Sequence, residues 1–145
     1  MKRMAIMLSV TFVMGLVLGT IGSQVLNAQQ APLKATEVFG ADVVGMEGTE
    51  VVVQLTEFAP RGSSGKHIHP GHEVIYVLEG SGSKEAEGEG LAPIKAGTVA
   101  YVPAGKVSET KNESATVPLK LLVFRIHPKG QPLTTKRVTE SYSMK

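Results

Sequence analysis

Short apolar runs punctuated by glycine and proline, with no helical period among them, constrain this chain most. Asp42–Met46, Glu50–Phe58, Glu73–Leu78, Thr98–Val102 and Leu119–His127 are rich in Val, Ile, Leu, Phe and Tyr. Breakers fill the gaps: Gly45–Gly48, Pro60–Gly65, Gly80-Ser81-Gly82, Gly88-Glu89-Gly90, Ala96-Gly97, Pro103-Ala104-Gly105 and Pro128–Pro132. Runs of this composition between such breakers read as strands and turns. No segment after residue 33 sustains an apolar period near 3.6, so the pattern predicts an all-β sandwich or barrel. Alternation in Glu50–Phe58 is imperfect, as expected of a strand covered on both faces. Gln29–Lys34 reads as a mobile polar lead, and Thr134–Lys145 as a loose or edge segment.

The first residues leave the fold argument. Met1-Lys2-Arg3 is a short basic start, and no charged residue follows until Lys34. Met4 to Gly22 is a run of apolar and small residues, the pattern of a secretory signal. Residues 1–28 are therefore expected to be a signal peptide cut after Ala28. The alternative is an uncleaved anchor, since the run approaches the ~20 residues that span a bilayer. Either outcome places the rest of the chain, periplasmic or secreted, outside the cytoplasm. The barrel domain is then 29–145, with its core about 50–127.

Charge and composition narrow the function. The chain has 145 residues and a formal net charge of +2. Removing Lys2 and Arg3 lowers Lys+Arg from 15 to 13, equal to the 13 Asp+Glu. A neutral domain has no electrostatic footprint for nucleic acid or an anionic membrane surface. Membrane association is expected only if the leader stays attached. Zero Cys excludes disulfides, Cys-ligated zinc or iron–sulfur sites and thiol catalysis.

Three of the four histidines fall within six residues, in Gly65-Lys66-His67-Ile68-His69-Pro70-Gly71-His72-Glu73. On a strand, residues two apart share a face, so His67 and His69 can turn both imidazoles on one ion. Pro70-Gly71 makes a turn, and Glu73 opens the next apolar run on the same face. Two imidazoles and a carboxylate suit a divalent Fe, Mn, Zn, Ni or Cu ion. The bland alternative is a surface loop of histidines. His72 has the opposite parity and is expected to point outward. His127 ends the last apolar run and reads as a strand-end surface residue unless it enters the site.

These residues resemble the two motifs of the cupin superfamily. Gly62, a four-residue spacer, His67-x-His69, three residues, Glu73, six residues and Gly80 match the first motif, with a spacer one shorter than usual. Gly97, five residues, Pro103-x-Gly105, two residues, residue 108, three residues and Asn112 match the second. The resemblance covers roughly Glu50 to His127. It implies a double-stranded β-helix, or jelly-roll barrel, with a site in its mouth. It also implies that His67, His69 and Glu73 are metal ligands.

The departure is Ser108, which stands where the family has its fourth ligand, a histidine. A serine hydroxyl is a poor match for a transition metal. Three outcomes stay open. A three-ligand site persists, another histidine fills the gap, or the site has lost its metal.

Other residues are secondary. Tyr76, Tyr101 and Phe124 are expected in the core, Tyr101 alternatively at the mouth. Arg125 is expected to point outward; if inward, it can clamp a carboxylate. Lys84-Glu85-Ala86-Glu87-Gly88-Glu89-Gly90 reads as a solvated hairpin tip. Gly62-Ser63-Ser64-Gly65 lacks the nucleophile-elbow pattern, and Gly80-Ser81-Gly82 lacks the helix of a phosphate loop. Two functions remain: a metal-dependent enzyme acting on a small organic molecule, of dioxygenase or isomerase type, or a non-catalytic module that binds or senses a sugar or small acid. A third, structural reading is a homodimer joined through an edge strand.

Overall fold

The computed structural model describes residues 32–137. The expected leader, residues 1–28, and the last residues of the tail lie outside them. Among the described residues there is no helix, and ten strands run in order: β1 Leu33–Asp42, β2 Thr49–Phe58, β3 His67–Ile68, β4 His72–Glu79, β5 Ser81–Ala86, β6 Gly90–Lys95, β7 Val99–Val102, β8 Val107–Lys111, β9 Leu119–Pro128 and β10 Lys136–Arg137. They form two five-stranded sheets, β1-β2-β9-β4-β7 and β10-β3-β8-β5-β6. All pairings are antiparallel. The inner faces oppose one another in a jelly roll.

Period-two patterning sets which residues turn inward. Along β9, Leu119, Leu121, Val123, Arg125 and His127 are buried, while the residues between them are half-buried or exposed. Along β4 the inward set begins Glu73, Ile75, Val77. The apolar core is Phe58, Ile75, Val77, Ile94, Leu119, Leu121 and Val123, drawn from both sheets. Burying one such side chain contributes about 1.5–3 kcal/mol. The imperfect alternation of β2 has a simple cause. Val52 and Val53 are both buried; Val52 faces inward, and Val53 lies between Phe39 and Phe124 on the outer face.

Several local expectations need correction. Asp42–Met46 is mostly the turn after a strand, and the strand itself is Leu33–Asp42, paired with β2. Its alternation is masked because it is an edge strand with most residues exposed. Of the expected solvated tip, only Glu87-Gly88-Glu89 is the exposed turn of a hairpin; Lys84, Glu85 and Ala86 belong to β5, between β6 and β8. Tyr76, Tyr101 and Phe124 are not core residues. They lie on the outer face of the first sheet, at 41%, 48% and 38% exposure.

Candidate functional site

The first-motif segment is fixed by backbone fit. Gly71 lies so close to β9 that a Cβ there would stand 2.3 Å from the Ile126 carbonyl oxygen, so only glycine allows the approach. On the other side, the Gly105 amide donates to the His69 carbonyl at 2.8 Å. The second motif thereby holds the first in place. Cross-strand pairing sets His67 directly opposite Ser108. Asn112 is a buried clamp. Its Nδ2 donates to the carbonyls of Phe58, Ala59 and Val117, and its Oδ1 accepts from the Ser114 amide.

The structure brings His67, His69 and Glu73 to the inner surface. The His67 Nδ1–H donates to the Gly65 carbonyl at 2.8 Å, and the His69 Nδ1–H to the Leu133 carbonyl at 2.5 Å. A carbonyl only accepts, so each imidazole presents Nε2 to its neighbour. The two Nε2 atoms are 2.8 Å apart. His69 Nε2 also lies 3.1 Å from Glu73 Oε2. Burial pushes the His67 imidazole below its ordinary value, against the pull of the Gly65 carbonyl.

Two further residues complete the cluster. Arg125 turns inward, against the expectation of an outward side chain. Its Nη2 donates to Glu73 Oε2 at 2.7 Å and its Nη1 to Gln54 Oε1. Lys84, which sequence reasoning left in solvent, is only 5% exposed. Its ammonium lies 3.4 Å from Glu73 Oε1 and 3.3 Å from Ser108 Oγ. Burial works to raise the Glu73 carboxyl. The His69 hydrogen bond and the Lys84 and Arg125 charges outweigh it and hold the group far below the carboxylate range. Burial lowers the Lys84 ammonium, with Glu73 opposing.

The remaining candidates lie elsewhere. His72 is exposed on the outer face, stacked on Tyr101 at a centroid distance of 5.9 Å and sharing a 2.6 Å hydrogen bond with its hydroxyl. Tyr101 therefore does not line the mouth. His127 is not a surface residue. It is 1% exposed, and its Nε2–H donates to the Gln131 carbonyl at 2.7 Å, but it does not line the cavity.

That cavity has a volume of about 400 Å³. The cluster forms one wall. Leu33, Phe58, Ile75, Leu121 and Val123 form an apolar wall, and Ser64, Thr110, Thr134 and Thr135 add hydroxyls. Such a mixture of apolar walls and a few convergent polar groups suits a small organic ligand.

The donor set does not fit the divalent ion that the motif resemblance implies. Two imidazole nitrogens are of the right kind. Each Glu73 oxygen, however, faces a side-chain cation, and the fourth position is a neutral hydroxyl 3.3 Å from one of those cations. Among the described residues, no three His, Cys, Asp or Glu side chains form a group able to hold a metal ion. A dication here would also join an ammonium and a guanidinium around a single carboxylate.

Comparison with known proteins agrees with this architecture. A family model for the cupin domain matches residues 54–125. No curated protein matches the chain. The crystal structure of TT1209 from Thermus thermophilus is 25% identical, with a TM-score of 0.56, covering 72% of this chain and 92% of that one. The polyketide cyclase RemF from Streptomyces resistomycificus is 22% identical, with a TM-score of 0.58, covering 75% and 74%. An RmlC-like cupin from Shewanella frigidimarina is 17% identical, with a TM-score of 0.55, covering 70% and 82%. The two motifs, the paired five-stranded sheets and these matches lead to one conclusion: the chain belongs to the cupin superfamily.

Proposed function

We propose that this cupin binds a small organic molecule in its cavity without a transition-metal ion in the site. The observation that carries this reading is the double engagement of Glu73 by Lys84 and Arg125. An ion bound by Glu73 would stand beside the Lys84 ammonium and the Arg125 guanidinium, and repulsion from these two fixed positive charges opposes a dication there. The reading is the binding-module alternative of the two functions; the metal-dependent enzyme would need Glu73 to release Lys84. The test is elemental analysis of protein purified without added metal or chelator. The expected result is far less than one transition-metal ion per chain. A stoichiometric ion that His67→Ala removes would overturn the reading.

We also infer that the outer face of the first sheet pairs with a second copy of the chain. Val74, Tyr76, Val99, Tyr101, Phe124 and Ile126 form a contiguous patch on β4, β7 and β9, each between 38% and 65% exposed. With Phe39, Leu55 and Leu78 the exposed apolar area is on the order of 800 Å², at roughly 200 Å² per large side chain. That equals the share of one partner in a standard interface. The charges beside the patch, Glu57, Glu79 and Lys120, are of both signs, and Lys120 is paired with Glu79 at 2.9 Å, so like-charge repulsion between two copies is small. This contact is the sheet face rather than the edge strand expected from the sequence. Sedimentation velocity is expected to give a dimer. Export remains a reading of residues 1–28; a full-length product in the cytoplasmic fraction would refute it.

A further inference from the structure

The Lys84 ammonium is buried but poorly satisfied. A charge-assisted hydrogen bond is ordinarily 2.7–2.9 Å long, whereas the two contacts of Lys84 are 3.4 Å to Glu73 Oε1 and 3.3 Å to Ser108 Oγ. An ammonium has three N–H donors. Glu73 leans instead toward Arg125, at 2.7 Å, and Arg125 is further fixed by Gln54. The cluster thus contains one tightly held cation, one carboxylate and one loosely held cation. Lys84 also lines the cavity, opposite an apolar wall. Its place in the fold is specific. Ser108 on β8 pairs with His67 on one side and with Ala86 of β5 on the other. The small serine leaves room in which the long side chain from β5 ends.

We propose that Lys84 takes the part of a fixed cation in this cavity and receives the carboxylate of a small organic acid with an apolar body. This deepens the proposed metal-free reading and rests on it. The ligand carboxylate would shorten the bonds of the ammonium and bring a second negative charge to a site with two side-chain cations and one carboxylate. The ligand body would lie on Leu33, Ile75, Leu121 and Val123. Ser108 and Lys84 act as a pair: the serine makes space for the amine, and the amine sets a positive charge beside the carboxylate that an ion would need.

The experiment is calorimetric titration of the full chain with benzoate and 4-methylpentanoate and with their primary amides, which keep shape and lose charge. The acids are expected to bind at least about tenfold more tightly, the ratio that ~1.4 kcal/mol gives. Lys84→Met is expected to remove that preference, so that acid and amide bind with equal affinity. If acid and amide bind equally, or neither binds, the assignment of Lys84 is overturned. The comparison on unaltered protein decides this even if the variant does not fold. A separate titration with zinc chloride tests the underlying reading. Lys84→Met combined with Ser108→His is expected to gain zinc binding that the unaltered chain lacks. Stoichiometric zinc on the unaltered chain would instead overturn the metal-free reading, whatever the acids do.

Discussion

At residue 108 an imidazole would need the volume next to which Lys84 now ends, since the ammonium stands 3.3 Å from the serine hydroxyl. Ser108→His alone is therefore expected to overpack the site, losing about 1–3 kcal/mol in a urea melt. The same substitution with Lys84→Met is expected to recover most of it. Acid sensitivity has a sign that can be worked out. The folded-state values of both His67 and Glu73 lie below their ordinary ones. The unfolded chain then binds more protons, so stability falls as pH falls. One limb should begin below about pH 6.5 and a second below about pH 4. Thermal midpoints between pH 8 and 3 check this. Glu73→Gln should flatten the lower limb and cost about 3–5 kcal/mol at neutral pH, because Lys84 and Arg125 lose their shared partner. Of the cluster, His67, His69 and Glu73 were legible from spacing. Arg125 was not, because a lone charge on an alternating strand has no partner in sequence. Lys84 was hidden beside three acidic neighbours, Glu85, Glu87 and Glu89, and the only signal for it was the missing histidine at 108.

At the scale of elements, the strands that alternate against the core were legible, whereas β1 and β5 were not. β4 and β9 alternate against a core, so their inward residues stand out in the sequence. β1 is an edge strand with Lys34, Thr36 and Glu37 exposed, and its pairing with β2 leaves no hydrophobic trace. β5 has Gly82 where a Cβ would stand 2.1 Å from the Lys111 carbonyl oxygen; contact with β8, rather than side-chain pattern, fixes it. Within β9 the apolar end carries much of the packing. Leu121→Ala, at a site only 2% exposed in the core, is expected to cost about 2–5 kcal/mol by chemical denaturation. It should also weaken ligand binding, because Leu121 lines the cavity as well.

At the scale of the whole molecule, the proposed dimer rests on the outer face of the first sheet. Register aligns Phe39, Val53, Phe124, Val74 and Tyr101 in one row across β1, β2, β9, β4 and β7. Val74→Asp puts a charge at a central position of that patch with little effect on the inner face. It is expected to give a monomer in sedimentation velocity, with acid binding retained; a persistent dimer would place the contact elsewhere.

One strand holds both halves of the interior. β9 begins with Leu119, Leu121 and Val123 and finishes with Arg125 and His127, all on the inner side. Foundation and workbench therefore occupy different stretches of a single ribbon. A lineage can retool the far stretch, changing the partner that Arg125 gives Glu73, while the near stretch keeps the barrel standing.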